Sequence, residues 1–115
     1  MSALPIAAYE GYAPDIQRIL ISAEEIEQCV HQLGRAISQD YAGRTPLLVG
    51  VLKGVVPFMA DLLRAITIPL EVDFMAISSY SPEVRDQGVV RVVKDLELPL
   101  AGRHVLFVED VIDTG

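Results

Sequence analysis

A short run of apolar residues, Pro46-Leu47-Leu48-Val49-Gly50-Val51-Leu52, breaks off on Lys53-Gly54. A uniformly apolar run of this length reads as a central strand with both faces covered, as strands of parallel sheets are. A second such run, Val105-Leu106-Phe107-Val108, also ends on charge: Glu109-Asp110-Val111-Ile112-Asp113-Thr114-Gly115. Parallel strands cannot be joined by tight turns and need crossover segments between them. The rest of the chain therefore has to supply helices.

It does so in order. The first residues, with Pro5, Gly11 and Pro14, form an irregular arm that leads into a short strand at Arg18–Ile21. Ser22 followed by Glu25 fits a capping box, in which each side chain meets an otherwise unpaired backbone N–H. Behind it Ile26, Val30, Leu33, Ile37 and Tyr41 recur at helical spacing, which predicts an amphipathic helix from Ala23 to about Tyr41. Gly34 inside it lowers helix propensity, and Gly43 is its expected terminator. Cys29 lies in this helix and reads as a small core side chain. A second helix is expected over Val56–Ile66, with Pro57 in its first turn. Leu70–Tyr80 and Val89–Leu96 are rich in strand formers and flank the polar segment Ser81–Gly88, so they form a long hairpin. The order is α/β: a mostly parallel sheet flanked by helices, with one antiparallel hairpin.

Composition narrows the function. Half the chain is hydrophobic (51%), and the net charge is −7. That charge argues against a sequence-independent grip on nucleic acid, which depends on clustered Lys and Arg. It is compatible with a small phosphorylated ligand, since Mg²⁺ can stand between carboxylates and phosphates. The single cysteine excludes an intrachain disulfide and a cysteine-rich zinc site. No secretory leader and no apolar stretch near the ~20 residues of a membrane span are present, so the expectation is a cytoplasmic protein. His31 and His104 have no metal-ligand company and receive no role.

In open α/β sheets ligands collect at the carboxyl ends of the strands. Glu109 and Asp110 follow directly on an apolar strand, where burying both would be costly without cations or donors. Thr114-Gly115 adds a hydroxyl and a flexible backbone that can form an anion nest. Carboxylates beside an anion nest suit a ligand that carries hydroxyls and phosphate together, such as a ribose 5-phosphate.

"VLFVEDVIDTG" resembles the phosphoribosyl pyrophosphate motif of the type I phosphoribosyltransferases, and the triad Glu109, Asp110 and Asp113 resembles the hypoxanthine-guanine branch of that family. "VGVLKGVVPFMADLLRAI" is similar to the family's pyrophosphate loop and following helix, and "VDFMAISSY" to the strand that leads into its mobile active-site loop. The resemblance runs from about Ile19 to Gly115. It implies the type I, Rossmann-like fold, with residues 1–17 as an N-terminal arm and 18–115 as a phosphoribosyltransferase domain incomplete at its C-terminal end.

The resemblance also implies roles. Glu109 and Asp110 would contact the ribose hydroxyls, directly or through Mg²⁺, and Asp113 would handle the proton on purine N7. Asp113, Thr114 and Gly115 would join the ribose 5-phosphate site. Lys53 and Gly54 would bind pyrophosphate, with a cis peptide between Leu52 and Lys53, and Ser79 and Tyr80 would stand at the base of the mobile loop. The implied activity is that of a pentosyltransferase of purine salvage. It moves a phosphoribosyl group from phosphoribosyl pyrophosphate to hypoxanthine or guanine and gives IMP or GMP and pyrophosphate. Mg²⁺ is the implied cofactor, and the full-length enzyme is implied to be a dimer or tetramer. Rival readings of the same residues are a phosphoribosyltransferase preferring another base such as xanthine, and a non-catalytic phosphoribosyl pyrophosphate-binding regulator or inert fragment.

Overall fold

The computed structural model describes residues 6–78 and 91–111. Ser79, Tyr80, Asp113, Thr114 and Gly115 lie outside the described residues, as does the polar segment 81–88. After a 3₁₀ segment (Ile6–Asp15) the elements are α1 (Ala23–Asp40), β1 (Leu47–Leu52), α2 (Val56–Ala65), β2 (Glu71–Ser78), β3 (Arg91–Lys94) and β4 (Val105–Val108). The four strands form one sheet in the order β3-β2-β1-β4. β1 is parallel to both β2 and β4, and β3 is antiparallel to β2.

The sequence explains most of these choices. Ser22 caps α1 through both arms of the capping box: its hydroxyl accepts from Glu25 N–H (3.1 Å), and its own N–H donates to the Glu25 carboxylate (3.2 Å). Gly43 lies beyond the end of α1 at φ 79°, a left-handed conformation that favours glycine. Leu47, Leu48 and Val49 of β1 are wholly buried, as expected of a strand with neighbours on both sides and cover on both faces. Alternation sends Leu48, Val72, Phe74, Leu106 and Val108 to the face that packs on α2, where they meet Val55, Met59, Leu62 and Ile66.

Three expectations need correction. Arg18–Ile21 is not a strand: Leu20 and Ile21 are exposed, and no neighbouring chain supplies a ladder for them among the described residues. Strand propensity without a partner does not make a strand. Cys29 lies in α1 but is exposed, not a core side chain. The apolar stripe of α1 is also only partly buried, since Val30 and Gly34 are inside while Ile26 and Leu33 are out. The cause is Gly34. A side chain there would meet the Ala65 backbone and Cβ at 2.5–2.6 Å, so α1 and α2 make their closest approach at this residue. That approach turns the Val30–Gly34 line inward. Ser38 seals the contact, donating to Gly34 O (2.7 Å) and accepting from Thr67 N–H (3.0 Å).

At the opposite face, near the start of the strands, two carboxylates of β2 hold the segment that leads from β3 to β4. Asp73, 6% exposed, accepts from the N–H groups of Phe74, Glu97 and Leu98, each at 2.8 Å. Glu71, two residues earlier on the same face, pairs with Arg103 at 2.9 Å, and the same guanidinium nitrogen reaches Thr45 O at 3.5 Å. β1 lies between β2 and β4, so this clamp guides the chain across β1 and delivers β4 to its far side. The Leu98 N–H, followed by those of Phe74 and Glu97 and by the charge of Lys94, holds the Asp73 carboxyl below its ordinary value of 3.8 against the opposing effect of burial.

Candidate functional site

The route of the chain brings the two charged loops together. β1 leaves the sheet toward α2 and β2 on one side, and the chain returns to β1 on the other side as β4. Gly50 stands opposite Val108 in the parallel register. Lys53-Gly54 and Glu109-Asp110 therefore emerge next to each other at the carboxyl ends of adjacent strands, where α/β sheets place their ligands.

The turn after β1 is tightly specified. The Leu52–Lys53 peptide is cis, as the resemblance implied. Val56 N–H donates to Lys53 O at 3.1 Å, and Val55 is wholly buried, which pegs the loop to the core. Lys53 and Gly54 are left on the surface. After β4, Val108 is buried while Glu109, Asp110 and Val111 are exposed. Asp110 Oδ1 accepts from Val111 N–H at 3.0 Å, and its Oδ2 lies 2.6 Å from the point a side-chain carbon on Gly54 would occupy. The two loops are thus in contact through a carboxylate and a glycine.

Among the described residues, Lys53, Glu109 and Asp110 take part in no ion pair. A cation and two carboxylates stand exposed on adjacent loops. Among the described residues no group of three or more His, Cys, Asp and Glu side chains is placed to hold a metal ion. Mg²⁺, however, is ordinarily held by one or two carboxylates, with the remaining positions filled by phosphate oxygens and water. Glu109 and Asp110 fit that pattern, in which the substrate brings part of the coordination shell.

One concave surface among the described residues lies away from these loops. A groove of about 430 Å³ between α1 and α2 is lined by Ile26, Val30, His31, Asp61 and Arg64 and holds none of the site residues. Arg64 pairs with Asp61 there, and His31 Nε2 lies 3.9 Å from a Glu27 carboxylate oxygen. An open carboxylate-lysine rim at the strand ends is the better-founded site. Sequence reasoning had not singled out Glu71, Asp73 or Arg103, which put β4 in place. The legible signal was an acid, Asp73, flanked by the apolar Val72 and Phe74 inside a strand.

Residues 18–115 match the family model of the phosphoribosyl transferase domain. The chain belongs to the phosphoribosyl transferase family, and its sheet of three parallel strands and one antiparallel strand with flanking helices is the type I fold of that family. A hypoxanthine-guanine phosphoribosyltransferase of Streptococcus agalactiae is 50% identical over 101 residues, which are 88% of this chain and 56% of the relative. The bifunctional protein TilS/HprT of Listeria innocua is 47% identical over 110 residues, 96% of this chain and 17% of that protein. Among solved structures, a hypoxanthine phosphoribosyltransferase from Staphylococcus aureus superposes with a TM-score of 0.85 at 35% identity, covering 92% of this chain and 58% of its own. The chain thus spans little more than half the length of the streptococcal relative. No described helix is long and apolar enough to cross a membrane.

Proposed function

We propose that this chain provides the phosphoribosyl pyrophosphate-binding part of a purine-salvage enzyme. The reaction transfers a phosphoribosyl group from phosphoribosyl pyrophosphate to N9 of hypoxanthine or guanine, giving IMP or GMP and pyrophosphate. The observation that carries the reading is the meeting of Lys53-Gly54 with Glu109-Asp110 at the ends of β1 and β4. The names of the streptococcal and staphylococcal relatives support the choice of base.

In this reading Lys53 is a point charge for pyrophosphate oxygens. Glu109 and Asp110 accept hydrogen bonds from the ribose diol and supply hard oxygen ligands for Mg²⁺. Bound there, Mg²⁺ would neutralise charge on the pyrophosphate leaving group. Asp113 exchanges the proton at purine N7, Thr114 and Gly115 begin the 5-phosphate loop, and Ser79 and Tyr80 stand at the base of a loop that excludes water from the reacting sugar. The assembly is a cytoplasmic homo-oligomer; the exposed apolar residues Leu20, Ile21, Ile26 and Leu33 support its oligomeric part.

Titration of phosphoribosyl pyrophosphate into the chain with Mg²⁺ present should show saturable, Mg²⁺-dependent binding, and no binding would count against the reading. In the enzyme that carries this chain, Asp113→Asn should slow IMP formation roughly 100-fold with little change in phosphoribosyl pyrophosphate affinity. An unchanged rate would remove the proton-handling role.

A further inference from the structure

Glycines in turns usually owe their identity to backbone conformation, and two here do. Gly43 (φ 79°) and Gly102 (φ 72°) are left-handed, and a side chain on either would meet nothing within 4 Å. Gly54 is the reverse case. It is not among the positive-φ glycines, so its dihedral angles do not demand glycine. Its Cα hydrogen instead faces the Asp110 carboxylate: a Cβ at this position would lie 2.6 Å from Oδ2, 3.5 Å from Cγ and 3.8 Å from Oδ1. Carbon–oxygen contacts of that kind ordinarily begin above about 3.3 Å.

Both partners stand on fixed ground. Val55, the next residue after Gly54, is wholly buried, and Val108, two residues before Asp110, is 6% exposed. The Val111 N–H holds Asp110 Oδ1 at 3.0 Å, which leaves Oδ2 directed at Gly54. We propose that Gly54 is a positioning residue whose missing side chain is the seat of the Asp110 carboxylate, so that the loop after β1 sets where the ligand-binding acid of β4 stands. This differs from a glycine that merely lets the backbone approach pyrophosphate. It makes the pyrophosphate loop and the ribose-metal loop one mechanical unit, in which disturbing the first displaces the carboxylate of the second. Asp110 is exposed, so a methyl group on residue 54 is accommodated by rotation of that carboxylate rather than by unfolding.

The functional readout rests on the phosphoribosyl pyrophosphate reading above, and the test therefore has two arms. In the first, Gly54→Ala is made with Asp110 intact and again together with Asp110→Ala, and Mg²⁺-dependent phosphoribosyl pyrophosphate affinity is measured for each. A seat predicts a loss of about tenfold in the Asp110 background and less than about twofold in the Asp110→Ala background. Equal losses in both backgrounds would overturn the proposal, because a backbone contact with pyrophosphate does not depend on Asp110. In the second arm the ligand-free chain is followed by NMR. Gly54→Ala should move the Asp110 carboxyl ¹³C resonance and the Val111 amide, and an unmoved Asp110 resonance would overturn the seat whatever the affinities are. If the unmodified chain binds no phosphoribosyl pyrophosphate, or Asp110→Ala abolishes binding, the second arm alone decides the seat, and the first outcome refutes the functional reading instead.

Discussion

The two ends of the sheet use acidic side chains in opposite ways. Near the strand starts, Glu71 and Asp73 are occupied by Arg103 and by the N–H groups of Glu97 and Leu98. At the strand ends Glu109 and Asp110 are exposed, and among the described residues neither meets a cation. The same chemical group is a structural fastener at one end and, in the proposed function, a ligand for substrate and metal at the other. For Asp73 burial makes the difference, because a carboxylate taken from water must be satisfied by the protein, whereas Glu71, about half exposed, is held by the Arg103 guanidinium.

Substitutions at the two ends should therefore fail in different ways. The largest loss of stability is expected for Asp73→Ala, which strips two N–H groups of the β3–β4 segment of their acceptor. Chemical denaturation should show a clearly lowered midpoint. The same residue should set an acid limit. Its carboxyl is held below its ordinary value by Leu98 N–H and its companions, so its contribution is complete above about pH 4 and is lost as pH falls through the depressed native value. Asp73→Asn should flatten the fall in stability below pH 4 relative to the unmodified chain. An identical fall in both proteins would mean that Asp73 does not differ in proton affinity between folded and unfolded states.

Arg103→Ala comes next. Its partner Glu71 is about half exposed, which limits the pair, and a loss of about 1 kcal/mol is expected from the same denaturation measurement. Lys53→Ala should have the smallest effect on stability, within about 0.5 kcal/mol, since Lys53 is exposed and outside every described ion pair. Its effect should appear instead as roughly tenfold weaker pyrophosphate binding by calorimetry. A Lys53 variant that lost stability and kept its affinity would erase the contrast between the two ends.

Local signals were legible where short-range chemistry is sufficient. The Ser22–Glu25 capping box formed as read, α1 ended within a residue of its expected limit, and the two apolar runs became adjacent parallel strands. Reading failed where the answer lay in another segment. Arg18–Ile21 has strand-forming residues but, among the described residues, no partner to bond with. Cys29 and Leu33 lie on or beside an apolar stripe, yet only Val30 and Gly34 of α1 are buried, because α2 approaches at Gly34. That glycine read as a loss of helix propensity, whereas its value is in the space it leaves for Ala65. Val111 likewise reads as apolar and is 70% exposed.

The sequence by itself determined the kinds of element, their order, and the chemistry at the strand ends: a lysine and glycine after one apolar run, and carboxylates after the other. Periodicity, capping and burial cost act within a few residues, so a single chain read from end to end carries them. Tertiary structure alone decided that the two runs would be neighbours, that Glu71 and Asp73 would be consumed in guiding β4 to its side of β1, and that Gly54 would receive the carboxylate of Asp110. These pairings join residues tens of positions apart. They depend on register and distance in the folded sheet, which local preference does not encode.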